Sequence, residues 1–181
     1  MKINFFRKKN ELQSDFPIAQ FDLSLDHSSV YPLFLSLEKD NVYAYSTCFM
    51  VKPDDLFVVE HMIELFFNGR LTKEKGVFVE SDKKIICYKF KEFEQDIVRI
   101  ITNHNDFITC LCGKGLEPPN PESVFPDRDF GAYGSLQGDM EFWWDVYWRS
   151  FWSSLTEEKR TQYIERCNLS EDTIQFLKCH N

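Results

Sequence analysis

No segment of this sequence approaches the roughly 20 uninterrupted apolar residues that a membrane span requires. The first residues, MKINFFRKKNELQSDF, carry basic side chains but no sustained apolar stretch and no small-residue cleavage site, so no secretory leader is expected. Six cysteines (48, 87, 110, 112, 167 and 179) suggest disulfides by number, but four of them sit inside apolar runs and no secretion signal is expected. They read as reduced, mostly buried thiols of a cytoplasmic protein.

Catalytic and metal-binding signatures are also missing. GKGLEPPN has neither the spacing nor the Lys-Ser/Thr of a phosphate-binding loop, and G-x-G-x-x-G and G-x-S-x-G are absent. His61 and Glu64 form H-x-x-E, but the second histidine of a zinc protease motif is not there. Cys110-x-Cys112 lacks the two-residue spacing of a zinc or redox site, and the four histidines (27, 61, 104 and 180) lie far apart. No enzyme, metal or cofactor is expected on these residues.

Positive charge is scarce in residues 10 to 60, where two lysines meet nine acids, whereas in residues 1 to 9 Lys2, Arg7, Lys8 and Lys9 face no acid; this cluster reads as a frayed terminus or an edge strand. The net charge is −8. Residues 113 to 145 concentrate seven acids (Glu117, Glu122, Asp127, Asp129, Asp139, Glu141 and Asp145) against Lys114 and Arg128. Such a surface repels a phosphate backbone, which disfavours direct nucleic-acid binding, and it suits a basic protein partner.

Aromatic residues are abundant, at 16% of the chain with 18 phenylalanines, so a phenylalanine-rich core is expected. FPIAQFDLSL (16–25), YPLFLSL (31–37) and NVYAYSTCFMV (41–51) read as strands, the last two joined through Glu38-Lys39-Asp40-Asn41. In 41–51 Tyr43, Tyr45, Thr47, Phe49 and Val51 share one face, and Val42, Ala44, Cys48 and Met50 the other, which predicts an interior strand. PDDLFVVEHMIELFFNG (53–69) predicts a helix, with Pro53 and two acids at its start and Gly69 at its end. GVFVE and KKIICYKF flank a Ser81-Asp82 turn. The spacing of Phe93, Ile97, Ile100 and Ile101 predicts an amphipathic helix over 91–104, and NDFITCLCG (105–113) predicts a strand with both sulfurs on the Ile108 face.

Residues 113–138 hold four of the seven prolines and five of the seven glycines, which predicts a long irregular loop, functional or mobile. Three helices follow, over about 139–155, 157–167 and 171–179, with Thr156 and Ser170 as N-caps. The whole predicts one α+β domain over 1–181: a mostly antiparallel sheet with flanking helices (1–112), the loop (113–138) and a helical tail (139–181).

All four tryptophans lie in GDMEFWWDVYWRSFWSSL (138–155). At 100° per residue Met140, Trp144, Tyr147, Trp148, Phe151 and Leu155 form one stripe for the core, with Trp152 at its margin. Phe142, Trp143 and Val146 fall outside it, and Trp143 is a candidate surface anchor.

GAYGSLQGDMEFWWDVYWRSFW and LTEEKRTQYIERCNLSED, on an acidic chain poor in motifs, resemble bacterial immunity proteins of contact-dependent growth inhibition and related polymorphic toxin systems. The resemblance implies a cytosolic inhibitor that docks on a basic toxin domain, often a nuclease, and blocks its active site. The contacts expected with such a partner are Glu122, Asp127, Asp129, Tyr133, Glu141, Trp143 and Asp145. The alternative is a small-molecule-binding or hydrolytic α+β domain with a pocket under the 113–138 loop.

Overall fold

The computed structural model describes residues 9–21, 30–132 and 135–180. It is an α+β fold around one five-stranded antiparallel sheet of order β1-β2-β5-β4-β3. The strands are β1 (Leu35–Ser36), β2 (Tyr45–Val51), β3 (Lys75–Glu80), β4 (Lys83–Glu92) and β5 (Gln95–Thr102). The expected strand over 16–25 is not formed in residues 16–21, where Ile18–Gln20 makes a 3-10 turn, and 22–29 lie outside the described residues. Residues 31–37 contribute only the two-residue β1, so β2 is the last full strand on that side.

Two expectations are corrected, and they exchange places. Residues 91–104 are not a helix: β4 runs to Glu92, Phe93 and Glu94 turn the chain with φ of 52° and 59°, and β5 follows. Ile97, Val98, Ile100 and Ile101 are all buried, because an interior strand has two covered faces and no polar side. Branching at Cβ restricts such residues in a helix and suits them to a strand. Conversely, residues 105–112 form helix α3 (Asn105–Cys112), capped by His104, whose Nδ1 accepts from the Phe107 amide at 3.4 Å. Phe107, Ile108 and Leu111 are its buried face; Cys110 is exposed and Cys112 half-buried, so the two sulfurs do not share a buried face.

Helix α2 (Pro53–Phe67) begins at Pro53 with Asp54 and Asp55 in its first turn and ends at Asn68, the left-handed residue at φ 46°. Gly69 serves a different need, because the Phe78 ring occupies the place its Cβ would take. Helix α2 packs on the sheet face of Phe49, Ile85, Cys87, Val98 and Ile100, and Glu60 accepts from Lys89 Nζ at 2.6 Å across that contact. Phe66 and Phe67 meet Phe107 of α3 edge to face at 5.8 and 5.7 Å. On the opposite face Phe16 packs with Ile86, Tyr88 and Ile101, and helix α1 (Lys9–Asp15) is tied to β4 by Asp15 and Lys84 at 2.6 Å.

The 113–138 segment is less irregular than its composition suggests. It holds helix α4 (Pro121–Val124), capped by Asn120, and a 3-10 turn at Phe130–Ala132. Leu116, Val124, Phe125 and Phe130 are buried, and the Phe130 ring meets Phe176 at 5.2 Å. The tail follows as α5 (Asp139–Trp143), a π-helical turn (Trp144–Trp148) and α6 (Arg149–Ser154), which run on without a break, then α7 (Glu157–Cys167) and α8 (Glu171–Cys179). Thr156 and Ser170 cap α7 and α8 as expected.

Candidate functional site

Five residues of the aromatic rod do not follow ideal α-helical geometry. The Arg149 amide bonds to the Trp144 carbonyl, so residues five apart rise over one another. Trp143 therefore stacks on Trp148, five residues on, at 5.1 Å, and Trp148 stacks on Trp152 at the ordinary four-residue helical spacing, at 5.9 Å. Phe125 of the long segment closes on Trp143 edge to face at 5.4 Å. Trp143 is 0% exposed, which corrects its candidacy as a surface anchor: a wheel turning 100° per residue placed it beside the stripe, and the π turn rotates it in. Tyr147 also points inward, and its hydroxyl donates to the Glu92 carboxylate at the end of β4. Burial, then the neighbouring Cys48 thiol and the Glu92 carboxylate, raise the Tyr147 pKa, so Tyr147 stays a donor at physiological pH.

With Trp143 removed from the surface, Phe142 and Val146 are what remains outside. They are 44% and 38% exposed, one turn apart, while every other aromatic residue from Trp143 to Trp152 is buried. Phe93 lies 6.3 Å from Phe142, ring to ring, and is half-buried against Phe125 at 5.3 Å. Its backbone is left-handed at φ 52°, a conformation costly for a bulky side chain and one that glycine or asparagine normally fills in a two-residue hairpin. Glu94, Glu141 and Asp145 are exposed beside this pair of rings, Asp145 forming an ion pair with Arg149 one turn on. An apolar step of Phe93, Phe142 and Val146 thus stands among carboxylates.

The remaining expected contacts divide by role. Asp127 and Asp129 are exposed; Asp129 Oδ1 accepts from the Gly131 amide at 2.9 Å. Between them Arg128 lies over the Phe125 ring at 5.3 Å and reaches Asp139 at 3.5 Å, which holds this acidic stretch against the start of α5. Glu122 is half-buried, and its Oε1 accepts from the Ser170 amide, the Ser170 hydroxyl and the Thr173 hydroxyl at 2.9, 2.7 and 2.7 Å, so it ties the long segment to helix α8. Burial opposes its ionisation, but those three donors prevail and hold its pKa below the usual carboxylate value. Tyr133 lies outside the described residues. Phe93 and Glu94 were missed because the helical spacing of 91–104 concealed a turn that lacks glycine and asparagine. The surplus of β-branched residues in QDIVRIIT was the available signal.

A second feature lies beneath the long segment. A cleft of about 360 Å³ opens between Gly115–Glu117 and helix α7, floored by Tyr31, Leu116 and Phe151. Glu117 closes one side, joining Lys52 and Arg166 at 2.6 Å each. Burial of the Glu117 carboxyl works against its charge, yet the two cations outweigh it and lower its pKa. Among the described residues no three His, Cys, Asp or Glu side chains are grouped as metal ligands, and no helix is long and apolar enough to cross a membrane. His61 and Glu64 are exposed on α2, a solvated helix edge. Against protein-family models, curated proteins and solved structures, nothing matches this chain.

Proposed function

We propose that this protein is an inhibitor that binds a basic protein partner, in the manner of an immunity protein that neutralises a cognate bacterial toxin domain in the cytoplasm. The observation that carries the reading is the Phe93–Phe142–Val146 step set among Glu94, Glu141 and Asp145. Inhibitor interfaces draw most of their affinity from a few aromatic anchors, and surrounding acids steer a basic partner to them. Asp127 and Asp129 extend the negative surface toward the start of α5. A nuclease-type toxin binds phosphates with a basic cleft, and these carboxylates take the place of those phosphates. No catalytic role is assigned to any residue.

The test is co-expression with the toxin-like reading frame beside the gene, together with co-purification of the two chains. Rescue of growth and a stable complex are expected. Absence of both, with soluble protein present, overturns the reading.

A further inference from the structure

The cleft under Gly115–Glu117 gathers two cationic side chains, Lys159 and Arg166, on a chain of net charge −8. Lys159, Gln162 and Arg166 follow one another at three- and four-residue spacing, so they stand on one face of α7 and line the same opening. Lys159 makes no ion pair among the described residues. Among the described lining residues the one carboxylate, Glu117, is already shared by Lys52 and Arg166, and outside the lining Glu158 accepts from the Gln162 side-chain amide at 3.3 Å. On a protein of net charge −8, Lys159 and Arg166 outnumber the carboxylate among the described lining residues.

The interior is apolar. Tyr31, Leu116 and Phe151 are buried in its floor, and Leu155 is half-buried at its side. Tyr163 joins the wall with its ring, and its buried hydroxyl lies against the Cys167 thiol. Burial first, then the Cys167 thiol and the Glu117 carboxylate, raise the Tyr163 pKa, so that hydroxyl stays protonated.

We propose that this cleft binds a small amphipathic organic anion, with a carboxylate or phosphate head at Lys159, Gln162 and Arg166 and an apolar body over Tyr31, Leu116 and Phe151. The volume of about 360 Å³ lies at the small end of ligand sites and admits one such molecule. Two cations at the mouth disfavour an ammonium ligand, and the floor disfavours a purely polar anion. The site uses none of the residues of the docking face, so its fate is independent of that of the inhibitor reading.

The experiment titrates the full chain with octanoate and octyl phosphate, against octanol and octyltrimethylammonium as controls of equal chain length, and follows backbone amide shifts by NMR. Both anions are expected to saturate and to move the amides of Gly115, Leu116, Gln162 and Tyr163. They should bind about tenfold or more tightly than octanol, the range expected when charged groups complete hydrogen bonds. Tighter binding of octanoate names the head group as a carboxylate, and tighter binding of octyl phosphate names it as a phosphate. Lys159→Glu sits at an exposed position in the first turn of α7, where an acid is tolerated, and should abolish the preference for anions while the fold persists. The proposal is overturned if octyltrimethylammonium binds as well as the anions, if Lys159→Glu leaves anion affinity unchanged, if the shifts lie away from the cleft, or if neither anion binds.

Discussion

Glu122 and Ser170 lie 48 residues apart in sequence and share two hydrogen bonds: Glu122 Oε1 accepts from the Ser170 amide at 2.9 Å and from its hydroxyl at 2.7 Å. Ser170 is the N-cap of α8, and the carboxylate completes the cap while placing negative charge at the positive end of the helix. Replacing Glu122 by alanine should cost about 1–2 kcal/mol, the range of a lost cap. Glu122→Gln, which keeps an acceptor, should cost less. Urea denaturation followed by tryptophan fluorescence measures both, and a Glu122→Gln variant as stable as the parent protein would count against the charge contribution.

Trp143 and Phe142 are adjacent in sequence and opposite in consequence. Trp143 is stacked between Trp148 and Phe125, so Trp143→Ala should lose roughly 3–5 kcal/mol of stability, as large core deletions do. Phe142→Ala should cost under about 1 kcal/mol of stability but at least about 2 kcal/mol of affinity for the partner. Calorimetry on both variants, with and without partner, separates the two roles. A Phe142 variant that keeps full affinity removes the anchor from the docking face.

Charge reversal at exposed acids should act on encounter rather than on the bound state. Asp127→Lys and Glu141→Lys are each expected to slow association several-fold at low salt, with the difference shrinking as salt rises. Stopped-flow mixing with the partner at two ionic strengths reads this directly. Association rates that stay level across these reversals argue against steering.

Acid should weaken the fold through Glu117 and Glu122. Both carboxyls ionise more readily in the folded chain than in the unfolded one, where the ordinary value is about 4.3. Their contribution is therefore complete above that value and is lost as pH falls through the lower folded value. Glu117→Gln should flatten the decline of the urea midpoint below about pH 4.5 relative to the parent protein. A parallel decline in both proteins would show that Glu117 has no share in it.

The thiols should divide by burial. Burial raises Cys87 to about 12 and is the largest cause in raising Cys48 and Cys112, each to about 11, whereas Cys110 and Cys179 are exposed. A thiolate-directed reagent at pH 8 should label Cys110 and Cys179 rapidly and Cys87 only after denaturation. Peptide mapping by mass spectrometry at early times checks the order, and early labelling of Cys87 would contradict its burial.

The local chemistry of the chain determined the elements that depend on nearest neighbours. Pro53 with Asp54 and Asp55 starts α2, Thr156 and Ser170 start α7 and α8, and the Ser81-Asp82 turn joins β3 to β4. It also determined the α+β class and the two apolar faces of β2, because a strand covered on both sides has no polar periodicity to hide. That absence of period is also why β5 was not legible. Ile97, Ile100 and Ile101 satisfy a helical spacing as well as a strand, and only pairing with β2 and β4 on either side decides between them. The candidate site divides in the same way. Its acids and aromatic residues are evident in the sequence, but which of them face out depends on the one-residue excess of the π turn, and Phe93 reaches Phe142 only because β4 and β5 fold back at a turn with no turn residues in it. Rotation and proximity come from packing over distances that no sequence window spans.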